Sequence, residues 1–235
     1  MSETVLIVGV KNLGKELAIH FGKLGARVVC AARTEADVRA VAADVDRAGG
    51  KGVPLVCDLT KPDTLEQLRD FTIDLCIASQ APGGRFGPKP FLEIDDAELT
   101  DNFSTTVVGT WNLLKAVAPG MVTRGKGTFL RIGTSSGVRT RDGFAVLGAT
   151  HHAVRGLVQV AARELRPQGV HVAYLPIDGP IENDESKVWA KGQTETLIDA
   201  GEIARACEYL HRQQPRAWTH ELVLRTARSE WTAPT

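Results

Sequence analysis

The chain of 235 residues has no excess charge of either sign, with 28 Lys+Arg against 28 Asp+Glu. It therefore offers no basic footprint for a nucleic acid and no polybasic arm for a membrane surface. No apolar run approaches the roughly 20 residues that a spanning helix needs. The start, Met1-Ser-Glu-Thr ahead of Val5-Leu-Ile-Val, lacks the basic opening and longer apolar stretch of a secretory signal. Cysteine is scarce. Cys30, Cys57, Cys76 and Cys207 have no metal-ligand spacing, and three of them sit in apolar, strand-like runs where a free thiol behaves as a small buried hydrophobe. This argues against a disulfide framework and against a metal site, and it makes the cytoplasm the expected compartment. Repeats, low-complexity tracts and linkers are lacking as well, and the length suits one α/β domain, 1–235. What is present is a globular composition, 43% hydrophobic and 24% charged.

Short β-rich runs alternate with helical spacing. Residues 5–9, 26–32, 53–57, 73–78, 127–132, 170–175 and 222–224 read as strands. Residues 13–24, 35–47, 97–117, 144–165 and 202–211 read as helices, with a short helix near Leu65 and Leu68. Alternation of this kind means right-handed βαβ units and a parallel sheet. Strands that are apolar almost throughout agree with a sheet covered on both faces. The expected fold is a single doubly wound (Rossmann) α/β domain with a mainly parallel seven-stranded sheet. Such a sheet binds its ligand beyond the carboxyl ends of the strands, where the strand order reverses.

Gly9-Val-Lys-Asn12-Leu13-Gly14 joins the first strand to the first helix. Glycine there lets the backbone turn tightly and approach a pyrophosphate seated at the helix N-terminus. Two glycines stand where this fingerprint carries three. Arg33 follows the second strand, at the end that faces an adenosine ribose. An acidic residue there would bond a free 2′-hydroxyl, whereas an arginine pairs with a 2′-phosphate. NADP is the expected cofactor, with NAD as the alternative. Asp58-Leu59 ends the third strand, where the carboxylate is placed either to accept from an adenine amino group or to cap the next helix.

Together with four further segments, these residues make the chain resemble the short-chain dehydrogenase/reductase family over about 5–224. Asp74-Leu-Cys-Ile-Ala-Ser79-Gln80-Ala81 stands where the family has its Asn-Asn-Ala-Gly strand end. The run 127–135 resembles the segment that ends on the family's catalytic Ser. The run 143–154 resembles the start of its catalytic helix. Gly169-Val-His-Val172 through Ile177-Asp-Gly-Pro-Ile181 resembles the strand end over the nicotinamide. The tail, 211–222, resembles a divergent bacterial branch that lacks the usual tyrosine.

The resemblance implies an oxidoreductase acting on a carbonyl/alcohol pair, in which Tyr exchanges a proton while hydride moves to or from the nicotinamide. Lys lowers the Tyr pKa and holds the ribose, Ser binds the reacting oxygen, and Asn keeps a water chain. Carried over by position, the Asn place is Thr106, the Ser place Thr134, the Tyr place Leu147 and the Lys place His151. Only the hydroxyl is chemically retained, and Leu147 exchanges no proton. Thr134 and His151 are the catalytic candidates, and His151 doubles as a ribose contact. Asp178 reads more simply as a turn residue before Gly179, and His152 as a packing or surface residue. The cofactor set is completed by Ser79, Gln80, Ile177 and Ile181.

The resemblance also implies a small lid at about 181–200, a second wall of the mouth at 80–90, and pairing into a homodimer or homotetramer through the two long helices. Three functions remain: an NADP(H)-dependent oxidoreductase with an altered acid/base group, a catalytically silent NADP(H)-binding sensor or partner protein, or a structural module whose nucleotide site has decayed, against which the glycine turn, Arg33 and Asp58 argue.

Overall fold

The structure, a computed structural model, describes residues 2–81, 88–191 and 193–228. Six strands form one parallel sheet: β1 (Thr4–Val8), β2 (Arg27–Ala32), β3 (Lys51–Val56), β4 (Leu75–Ala78), β5 (Gly127–Thr134) and β6 (Val170–Ile177). Their order is β3-β2-β1-β4-β5-β6. The order reverses between β1 and β4, and the crevice at that point is where a doubly wound sheet takes its ligand.

Helices α1 (Leu13–Lys23), α2 (Glu35–Arg47) and α7 (Ala200–Arg212) cover one face. Leu17, Phe21, Val38, Ile203 and Leu210 meet Val5, Ile7, Cys30 and Leu130 there. Helices α4 (Gly109–Arg124) and α5 (Ala145–Leu165) cover the other, where Leu113, Met121, Val154 and Val158 meet Leu6, Val8, Phe129 and Tyr174. Each strand thus buries both sides, which is why its sequence shows no alternation.

Two expectations need correcting. The sheet has six strands rather than seven. Residues 220–224 do run beside β6, with Tyr174 N–H donating to His220 O and Leu222 N–H to Tyr174 O. Further along, Leu224 N–H donates to Pro176 O and Asp178 N–H to Leu224 O. The bond missing from this ladder is the one residue 176 should donate, and proline has no N–H. The pairing therefore splits into isolated bridges, Tyr174 with Glu221 and Ile177 with Leu224. The long helix expected over 97–117 is divided as well. Helix α3 (Asp96–Phe103) passes through a π-helical turn (Ser104–Val108) into α4. That turn changes the helical phase at the point where Thr106 faces the core.

Candidate functional site

The end of β1 is fixed by close backbone approach. Gly9 has φ +85°, and a Cβ there would lie 2.7 Å from Gln80 Cα. A Cβ on Gly14 would lie 1.7 Å from the Gly9 carbonyl oxygen. The missing third glycine is replaced in conformation by Asn12, at φ 46° and ψ −110°, a positive-φ backbone more readily entered by asparagine than by most residues. Its side chain makes no capping bond, so the first amides of α1 keep no side-chain partner. Leu13 is buried behind them. The Ser79 hydroxyl lies 2.9 Å from both the Val8 and Gly9 carbonyl oxygens and ties the turn to the end of β4.

Arg33 is exposed at the end of β2 and makes no hydrogen bond or ion pair among the described residues; its charge does reach Asp58. Burial raises the Asp58 pKa, but hydrogen bonds from the Thr60 N–H (3.0 Å) and hydroxyl (2.8 Å), with Arg33 and Lys61 nearby, leave it below its ordinary value. Asp58 does not cap the following helical segment (Pro62–Asp70), which has Lys61 at its N-cap and no side-chain cap bond; its carboxylate instead closes the turn that follows β3. Leu59 is buried, and its carbonyl accepts from Asn112 Nδ2 at 2.8 Å.

At the other end of the crevice, Thr134 closes β5 and its Oγ1 accepts from the Ser136 N–H at 3.1 Å. Leu147 is half-buried in the first turn of α5. His151, one turn on, is 7% exposed. Burial, with the charges of Arg131 and His152, pushes its pKa down to about 3, so the ring is neutral at physiological pH. It cannot replace the charge of a lysine.

Its Nδ1 lies 3.4 Å from the hydroxyl of Tyr174, which rises from β6 and is fully buried. The backbone of Thr134 lies near enough to the same hydroxyl to lower its pKa. One phenol oxygen thus stands beside both the Thr134 and His151 positions. Glycine makes room for it: a Cβ on Gly133 would lie 2.1 Å from the Tyr174 oxygen, and one on Gly137 2.7 Å.

Thr106 is buried in the π turn, and its carbonyl accepts from the Thr110 hydroxyl at 2.6 Å. That hydroxyl also accepts from Gln80 Nε2 (3.1 Å) and Arg131 Nε (3.0 Å). Asn102, a turn earlier, bonds the Glu98 carbonyl of its own helix. His152 lies outside the site, exposed and bonded to the Gly148 carbonyl.

Ile177 ends β6, buried, and Ile181 bridges to Ile198. The Asp178 N–H bonds the Leu224 carbonyl. Between them and α1 lies a cleft of about 560 Å³ lined by Asn12, Lys15, Glu16, Glu182, Asn183 and Lys187 among others. Helix α6 (Asp184–Ala190) stands on its rim behind a reciprocal Asn183–Ser186 cap. Of the mouth segment 80–90, residues 82–87 lie outside the described residues, as does the Trp189 side chain. No His/Cys/Asp/Glu group able to hold a metal occurs among the described residues.

Sequence reasoning missed Tyr174 and Arg131. Arg131 is a charged residue inside an otherwise apolar strand, and that was the available signal. Arg131 and Tyr174 are cross-strand partners on the same face.

The strand order, the glycine turn at the reversal point and the polar cluster at the ends of β4, β5 and β6 define a doubly wound α/β protein with a crevice of dinucleotide type. The family model described as short chain dehydrogenase matches residues 3–177. The chain belongs to that family. It is 25% identical over 235 residues to a very-long-chain 3-oxoacyl-CoA reductase of Coccidioides immitis, covering 93% of this chain and 67% of the relative. Its fold is shared with a metagenomic short-chain oxidoreductase solved in complex with NADP (24% identity, TM-score 0.79, 97% and 98% of the two chains). It is also shared with an alcohol dehydrogenase of Thermococcus sibiricus solved with 5-hydroxy-NADP (20% identity, TM-score 0.85, 99% and 100%).

Proposed function

We propose that this chain is an NADP(H)-dependent oxidoreductase acting on a carbonyl/alcohol pair, with Thr134 and His151 at the reacting oxygen. The observation that carries the reading is the contact of the Tyr174 hydroxyl with the His151 ring, beside a Thr134 backbone near enough to lower the phenol's pKa. It gathers a hydroxyl and an imidazole at the ends of β5 and α5, although the Tyr place holds Leu147.

The residues present fit a dinucleotide. Gly9 and Gly14 let the backbone close so tightly that no Cβ fits, and Asn12 and Leu13 present the α1 amides to a pyrophosphate. Arg33 is placed for a 2′-phosphate, Asp58 and Leu59 for the adenine, and Ser79, Gln80, Ile177 and Ile181 for the nicotinamide end, where His151 also contacts the ribose. When bound, the reduced nicotinamide supplies hydride. Thr134 holds the carbonyl oxygen through its hydroxyl hydrogen, since its oxygen already accepts from Ser136.

The segment 181–200 serves as the lid of a single domain, 1–235. Leu99, Phe103, Val108 and Trp111 on the α3–α4 run, with Val160 on α5, are large apolar side chains left exposed, and they support pairing of copies into a homodimer or homotetramer. Four buried, unpaired cysteines suit a reducing cytoplasm.

The test is titration with NADPH and with NADH, followed by thermal shift. NADPH at a hundredfold excess over Kd should stabilise the chain by about 2.7 kcal/mol, roughly 5–10 °C in Tm for this size. Arg33→Ala should weaken NADPH more than NADH, and equal losses would refute the 2′-phosphate role. Binding of neither cofactor overturns the reading. Binding without turnover of any carbonyl leaves the silent sensor as the function.

A further inference from the structure

The α4/α5 side of the sheet buries a cation without a counter-charge. Arg131 is 1% exposed, and no carboxylate lies within ion-pair distance of it among the described residues. Its donors go to neutral oxygens: Nε to Thr110 Oγ1 (3.0 Å), Nη1 to the carbonyls of Ala78 (2.9 Å) and Ile132, and Nη2 to the Gln80 carbonyl (3.4 Å). Burying an unpaired charge is costly, and clusters that do so are places to look for function. Its cross-strand neighbour is the Tyr174 phenol, whose oxygen reaches the His151 ring. His151 Nε2 makes no hydrogen bond among the described residues and is absent from the fully buried unpartnered atoms, so solvent touches it.

We propose that Arg131, Tyr174 and His151 form a buried proton relay that does the work of the missing phenol at Leu147; this rests on the oxidoreductase reading above. His151 is the catalytic residue, and Tyr174 and Arg131 are positioning residues behind it. In the reducing direction the carbonyl carbon gains hydride from a reduced nicotinamide, and the C=O π electrons take the proton from His151 Nε2. Tyr174 passes its hydroxyl proton to the Nδ1 lone pair, so the ring changes tautomer and stays neutral. The phenolate that remains faces the Arg131 guanidinium, and it regains its proton from water through the same ring after the alcohol leaves. Oxidation runs the sequence backwards.

The His151 shift suits the relay, whereas the Tyr174 shift works against the phenolate, and Arg131 is what limits that cost. Burial raises the Tyr174 pKa to about 12, while Arg131, the Thr134 backbone and Arg155 oppose the rise and Glu221 adds to it. Burial, Arg131 and His152 hold His151 neutral, so it acts as a neutral N–H donor rather than as an imidazolium. The contact of 3.4 Å is long, as acid–base contacts often are before substrate closes on them.

The experiment compares the full chain with Tyr174→Phe, which removes one oxygen, and with Arg131→Lys, which keeps the charge. Three readouts are taken: NADPH thermal shift, kcat against pH with NADPH on a panel of aromatic aldehydes and α-ketoesters, and ¹⁵N NMR of the imidazoles. In the parent, His151 should appear as the neutral Nε2–H tautomer at pH 6. Tyr174→Phe should lower kcat by about 10²-fold with the NADPH shift unchanged, and the His151 signals should move toward the other tautomer. Arg131→Lys should retain more activity than Arg131→Met. A Tyr174→Phe kcat within twofold of the parent, or unmoved His151 tautomer signals, overturns the relay. NADPH binding with no reduction of any panel member by the parent overturns it too, leaving the cofactor reading intact. Failure to bind NADPH overturns the underlying reading instead.

Discussion

At the scale of single residues, His151 converts burial into a pH dependence. Its folded pKa, about 3, lies below the ordinary value of about 6.5 for an unfolded chain. As pH falls below about 6.5, the unfolded state takes up a proton that the folded ring refuses, so stability is lost on acidification. The contribution is fully present above pH 6.5 and declines by up to about 1.4 kcal/mol per pH unit below it. His151→Gln should flatten that slope in denaturant midpoints measured between pH 4.5 and 7.5. Gly133 is the complementary case, because the Tyr174 hydroxyl occupies the space of a Cβ. Gly133→Ala should displace the ring and cost about 1–3 kcal/mol by overpacking, read as a lowered Tm. An unchanged Tm would mean that Tyr174 has somewhere else to go. The glycines of the β1–α1 turn were legible in the sequence because their constraint is local. Asn12 was legible only as a residue standing in the turn; its positive φ is seen only in the folded chain.

At the scale of elements, β6 shows how one missing donor shapes an edge. Pro176 interrupts the ladder to residues 220–224, so the tail needs another anchor. Arg155 of α5 supplies it, gripping Glu221 with Nε to Oε1 at 2.7 Å and Nη2 to Oε2 at 2.8 Å. Both side chains are largely covered, and a two-pronged charged bond of this kind is stronger than a neutral one. Burial raises the Glu221 pKa, but Arg155 overcomes this and leaves it below the ordinary carboxylate value. The clamp therefore holds above the usual carboxylate pKa of about 4.3 and weakens as pH falls through the lower folded value. Arg155→Met should speed hydrogen exchange at the Leu222 and Leu224 amides and lower stability by about 1–3 kcal/mol; unaltered exchange would show that the bridges alone secure the tail. The π-helical turn between α3 and α4 was not legible either. Its residues, Ser-Thr-Thr-Val-Val, carry no breaker, and the extra residue is accommodated by packing against α5.

At the scale of the whole molecule, the exposed apolar side chains of the α3–α4 run set the expected assembly. Trp111→Glu should shift the chain toward monomer in size-exclusion chromatography with light scattering, while a parent that is already monomeric would remove the pairing proposal. The fold was readable from the sequence because a doubly wound sheet needs only local features: apolar runs of strand length, helical spacing between them and a glycine turn at the first crossover. The positions of Arg33 and Asp58 followed, since both lie at strand ends whose place in the sheet is set by topology. The buried polar cluster was not readable in the same way. Tyr174, His151 and Arg131 are separated by 20 or more residues and come from β6, α5 and β5. They meet only because parallel pairing puts Arg131 across from Tyr174, and because Gly133 lets the phenol lean toward α5. Sequence alone determined the class of fold and the tight glycine turn at its first crossover, for those depend on neighbours along the chain. Tertiary structure decided which polar groups share one desolvated space, because that depends on strand register and on the volume a missing side chain leaves open.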